Sequence, residues 1–213
     1  EERPFLRTNK LIPRAWPDPT ALSHIMKIIK ASERPLIIGG HGVWWSGAEA
    51  TLERAGKMLR LPVFNVPYHS KLLGEECDAY MGLADFHQYH PSKPAIHEAD
   101  VIIMIGGRLD NQMNFGNPPF FQKTTTLICV NGSHEELDYN RAADEMLLSD
   151  PGAFLDALMG VGKTWDSWFD AQKQRRADWV QEWETHIAAE TARDLADGGK
   201  MHPLQLSLDV QAE

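Results

Sequence analysis

Residues 101–107, VIIMIGG, run without a polar side chain into a Gly-Gly pair, and an arginine follows at once. Successive side chains of a strand point to opposite sides of its sheet, so a strand this uniform is apolar on both faces. It needs a layer above and a layer below. That is the situation of a parallel sheet inside an α/β domain, not of a strand with one wet face. PLIIGG (35–40), PVFNV (62–66), TLICVN (126–131) and EMLLSD (145–150) read as further strands of this kind.

Helical segments alternate with them. ALSHIMKIIKAS (21–32) carries Leu22, Ile25, Met26 and Ile29 at helical spacing, with Thr20 as the expected cap. Residues 46–60 read as a helix capped by Ser46, and PSKPAIHEAD (91–100) and SHEELDYN (133–140) as short helices. Asp150 and Pro151 form an N-cap and first-turn pair for GAFLDALMG. Residues 66–90 show no regular pattern. The alternation predicts a doubly wound, mostly parallel α/β sheet of about six strands over residues 20–160. Residues 1–19, with Pro4, Pro13, Pro17 and Pro19, read as a linker, and 197–213 as the start of another.

Residues 161–196 read as a helical extension holding four of the seven tryptophans. Trp165, Trp168, Trp179 and Trp183 fall roughly on one helix face with Phe169 and Ile187. Such a stripe either packs on its own domain or contacts another domain or subunit.

The net charge of −9 argues against a nucleic-acid partner, because an acidic surface repels phosphate backbones. Two cysteines, Cys77 and Cys129, make no disulfide framework and suit a reducing, cytoplasmic setting. No apolar run approaches the length of a membrane span. The chain lacks an initiator Met and stops inside a promising helix, so a piece of a longer protein is expected.

Two loops could carry a ligand. Gly39-Gly40-His41-Gly42 links a strand to a helix, where glycines let backbone approach an anion. It is not the GxGxxG fingerprint, and no acidic residue stands at the ribose position about 20 residues on. The second loop, GGRLDNQMNFG, places Gly106 and Arg108 at the carboxyl end of the strongest strand. Ligands of open α/β sheets sit there, and a guanidinium there can clamp a phosphate. The competing role for Arg108 is an ion pair with Asp110. MGVGKTW (159–165) imitates a phosphate-binding P-loop, but Ala157 stands where the first glycine belongs and a helix precedes it. His87 and His90, with Asp85, have ligand-like spacing without a completing cysteine or carboxylate group. No GxSxG elbow and no convincing acid–base pair is present.

Taken in order, RPLIIGGHGVWWSGA, LPVFNV, YMGLADFHQYHPSKPAIHEADVIIMIGGRLD, NFGNPPFF and ICVNGSHEELDYN resemble the central domain of thiamine-diphosphate-dependent enzymes. The nearest branch is that of acetolactate synthase, oxalyl-CoA decarboxylase and 2-hydroxyacyl-CoA lyase, and MHPLQLSLDV resembles the entry to that family's pyrophosphate-binding domain. The resemblance implies a parent with three α/β domains, assembled as a homodimer or homotetramer. Thiamine diphosphate and Mg2+ would lie between its other two domains. The central domain would be structural and able to hold FAD, or ADP alone or as part of CoA.

The family's GDG motif is absent here, and its activating glutamate belongs to the first domain, so no catalysis is expected of this chain alone. Arg108 matches the family's nucleotide-facing arginine, and Gly40, Gly42 and Gly106 match its loops. His41 falls where acyl-CoA members can place a phosphate-facing basic residue. Asn131 stands where the family usually has an aspartate that contacts ribose or adenine. An amide can still hydrogen-bond a hydroxyl but carries no charge. The alternative is a stand-alone module for NAD or another nucleotide.

Overall fold

The computed structural model describes residues 13–67, 72–87 and 91–196. Six strands form one sheet: β1 (Pro35–Gly39), β2 (Val63–Asn65), β3 (Tyr80–Leu83), β4 (Val101–Ile105), β5 (Thr126–Asn131) and β6 (Glu145–Leu148). All pairings are parallel, and the order across the sheet is β3-β2-β1-β4-β5-β6. The chain therefore builds outward from β1 in one direction, then crosses back to β4 and builds outward in the other. Every residue of β1 and β4 is buried, so both faces of the sheet centre are covered. Register is set by this apolar core, with Ile37 opposite Ile103 and Ile38 opposite Met104.

The helices are α1 (Pro19–Ala31), α2 (His41–Trp45), α3 (Glu49–Leu59), α4 (Ser92–Glu98), α5 (Pro151–Leu158) and α6 (Asp166–Ala196). Four local expectations are corrected. Helix α1 starts two residues earlier than expected, with Asp18 as cap: its carboxylate accepts the N–H groups of Thr20 and Ala21 at 3.0 and 2.9 Å. Ser46 does not cap a helix over 46–60. It ends the five-residue α2, and its Oγ accepts the N–H of Gly152 at 3.2 Å, while α3 begins at Glu49. The stretch read as irregular contains β3, a four-residue strand interrupted by Gly82 at φ 113°. SHEELDYN forms only a short 3-10 turn over His134–Glu136. Asp150 caps α5 as expected, accepting from the N–H of Ala153 at 3.0 Å.

Helix α6 divides the tryptophan stripe in two. Trp165 and Trp168 are buried and donate their indole N–H groups to the carbonyls of Ser32 and Pro35, at 2.9 and 2.8 Å. Phe169 is buried beside them, with the Arg60 guanidinium 4.2 Å from its ring centroid. These three residues join the core at the base of β1. Further along, Trp183 is 40% exposed and stacks on Trp179 with ring centroids 5.9 Å apart. The first part of the stripe is thus domain core, whereas Trp179 is half-buried and Trp183 exposed before Ile187 is buried again. Of the linker expected over 1–19, residues 13–18 form no helix or strand and Pro19 begins α1, while residues 1–12 and the stretch 197–213 lie outside the described residues.

Candidate functional site

The crossover from the β3-β2-β1 half to the β4-β5-β6 half puts a topological switch between β1 and β4, where ligands of open α/β sheets bind. Both singled-out loops leave the sheet there. They are joined by backbone bonds: the N–H of Gly40 donates to the Ile105 carbonyl at 2.8 Å, and that of Gly42 to the Gly106 carbonyl at 2.8 Å. The turn after β4 is tied in the same way to β5, through Gly106 N–H to the Val130 carbonyl at 2.8 Å. The glycines here serve first to let two strand ends approach each other. The helix after the first loop is α2, five residues long, so the strong helix N-terminus expected behind the loop is not formed.

A cleft of 410 Å3 opens over these turns. It brings together five of the six sequence-derived site residues, His41, Gly42, Gly106, Arg108 and Asn131, while Gly40 supports the turn from behind. Trp45, Gly107, Asp110 and Glu136 complete much of its wall. Trp45 is 78% exposed, which leaves a large aromatic face available at the cleft.

The electrostatics differ from the sequence reading in one respect. Arg108 pairs with Glu136 and not with Asp110. Its Nε donates to Glu136 Oε2 at 2.7 Å, and its second nitrogen bonds the other carboxylate oxygen. This forked pairing, first of all, stabilises the charged guanidinium and pushes its pKa up. The guanidinium also lies 5.4 Å from the Tyr139 ring centroid. Asp110 is occupied locally: its Oδ1 accepts the Gln112 N–H at 2.9 Å and caps the turn after β4. Asn131 ends β5, its Oδ1 accepting from Ser133 N–H at 3.3 Å and its Nδ2 approaching the Gly107 carbonyl at 3.5 Å.

Glu136 and Trp45 are the residues that sequence reading missed. Glu136 lies five positions past β5, on the strand end next to that of Arg108, so strand adjacency is the signal that could have found it. His87 bonds the Asn111 carbonyl through its ring at 3.0 Å, and His90 lies outside the described residues. Among the described residues no group of three or more His, Cys, Asp or Glu is arranged to hold a metal ion. Among them, no helix is long and apolar enough to cross a membrane.

A doubly wound parallel sheet with a cleft at its switch point defines a Rossmann-like α/β architecture. Within that class, the family described as "Thiamine pyrophosphate enzyme, central domain" matches residues 22–158. The chain belongs to this family. It is 29% identical over 214 residues to the acetolactate synthase large subunit IlvG of Mycobacterium tuberculosis, covering 93% of this chain and 34% of that one. It is 26% identical over 147 residues to 2-hydroxyacyl-CoA lyase 1 of Mus musculus, covering 69% of this chain and 24% of that one. Benzoylformate decarboxylase from Polynucleobacter necessarius shares the fold, with a TM-score of 0.60 at 20% identity over 77% of this chain and 31% of that one. The chain thus spans about a quarter to a third of the length of these relatives. A stand-alone NAD module finds no support among them.

Proposed function

We propose that this chain is the central domain of a thiamine-diphosphate-dependent lyase, decarboxylase or carboligase acting on 2-keto acids or 2-hydroxyacyl-CoA thioesters, and that its cleft holds an adenine nucleotide. The observation that carries the nucleotide reading is the convergence of the Gly40–Gly42 and Gly106–Arg108 turns on one cleft at the switch point. The donor set suits such a ligand. Arg108 offers a planar fork for a phosphate, Asn131 an amide for a ribose hydroxyl, and Trp45 a ring face for a base. FAD, ADP and CoA share this adenosine diphosphate part.

Thiamine diphosphate does not fit the same cleft. The chain has no GDG motif to anchor a Mg2+-bound pyrophosphate, and the cleft carboxylates are committed to Arg108 and to the turn at Gln112. That cofactor supplies carbanion-stabilising chemistry wherever it is bound. In this proposal it and Mg2+ reside in the parent's other domains, within a homodimer or homotetramer, and this chain performs no chemistry alone.

One observation favours a second reading, in which the domain is purely architectural: the Nε–Nη fork of Arg108 is already held by Glu136. A melting-temperature panel separates the two. ADP, FAD or CoA raises the melting temperature if the cleft holds a nucleotide, since a ligand that binds only the folded state stabilises it. No response to any of them assigns the domain a purely structural role.

A further inference from the structure

Arg108 and Glu136 approach from two neighbouring strand ends and meet in the cleft wall. We propose that Glu136 is an internal occupant of the cleft's anion subsite: its carboxylate holds the Nε–Nη fork of Arg108, so a diphosphate gains that fork only by displacing it. This rests on the reading of the cleft as an adenine-nucleotide site.

Carboxylate and phosphate present the same paired oxygens to a guanidinium fork, so the two compete for one set of donors. Both carboxylate oxygens of Glu136 are engaged on Arg108, while Tyr139 faces the guanidinium. The pair is accessible rather than entombed, with side-chain exposures of 52% for Arg108 and 26% for Glu136. Solvent-screened pairs of this kind are weak enough for a ligand to break. The carboxylate also rides on a short element. The 3-10 turn His134–Glu136 is closed by backbone bonds of 3.3 Å, from Glu136 N–H to the Ser133 carbonyl and from Leu137 N–H to the His134 carbonyl. With Glu136 and Asp110 both lining the cleft, Arg108 is outnumbered by carboxylates, which opposes a diphosphate electrostatically as well as sterically. Removing the Glu136 charge releases the fork and lifts part of the repulsion together.

The test is calorimetric titration of the 213-residue chain with ADP and with adenosine, for the wild type, E136Q, E136A and R108Q/E136Q. Both single variants bind ADP about tenfold more tightly than the wild type. Adenosine, which has no phosphate, binds all four proteins alike, and the double variant loses the gain for ADP. Equal ADP affinity in wild type and single variants overturns the inference and leaves the nucleotide reading standing. Equal tightening for adenosine also overturns it, because the effect would not run through the phosphate. ADP binding to none of the proteins overturns both.

Discussion

Gly42 and Gly106 stand back to back: the N–H of Gly42 reaches the carbonyl of Gly106 at 2.8 Å, and a Cβ on either residue would lie 2.6 Å from the Cα of the other. This contact, more than any side chain, brings the ends of β1 and β4 together beneath the cleft. Gly106 also has φ +63°, in the left-handed region that disfavours a side chain.

Gly106→Ala therefore separates the two turns. Overpacking and backbone strain together cost about 2–3 kcal/mol. The melting temperature falls by about 5–10 °C and nucleotide binding is lost with it. A variant as stable as the wild type would show that the turns tolerate separation.

Arg108→Gln behaves in the opposite way. A half-exposed pair contributes about 0–1 kcal/mol, so thermal unfolding is nearly unchanged. ADP binding weakens strongly while adenosine binding does not. A large loss of stability without an effect on ADP would make Arg108 a structural residue only.

The two halves of α6 respond differently to truncation. Trp168→Ala removes a buried ring and leaves the Pro35 carbonyl without its indole donor, for a loss of about 3–5 kcal/mol. Trp183→Ala, at a 40% exposed position, costs about 1 kcal/mol or less. Denaturant midpoints measure both. Equal losses would contradict the division of the stripe into core and surface.

Alkali should weaken the fold in a defined window. Burial above all pushes Cys129 from its ordinary 9.0 to about 12, with a smaller push from Asp138. Burial, with a smaller contribution from Glu75, pushes Tyr80 from 10.0 to about 12. Both groups ionise more easily in the unfolded chain, so their contribution is complete below pH 9.0 and is lost as pH rises toward 12. Stability measured by urea unfolding falls between about pH 9 and about pH 12, and Cys129→Val reduces the fall. A flat profile would contradict the burial of these two groups.

The parallel sheet was legible because β1, β4 and β5 are unbroken apolar runs, and their strand-end turns therefore marked the cleft. Strand β3 was not: it is four residues long, contains Gly82, and owes its place to pairing with β2. The single helix read over 46–60 failed because Ser46 is used across the fold by Gly152, a contact with no local signature. Glu136 stayed hidden for the same reason, since the arginine it pairs with lies on another strand end. Short-range patterns carry backbone class and turn chemistry, whereas the choice of ion-pair partner is made by topology.

The most direct test is a structure of the 213-residue chain determined with ADP. The diphosphate is expected against the Gly40–Gly42 turn with Arg108 turned to it and Glu136 swung away, and no thiamine diphosphate bound when that cofactor is supplied instead. ADP at the opposite end of the sheet, or thiamine diphosphate seated over these turns, would contradict the account.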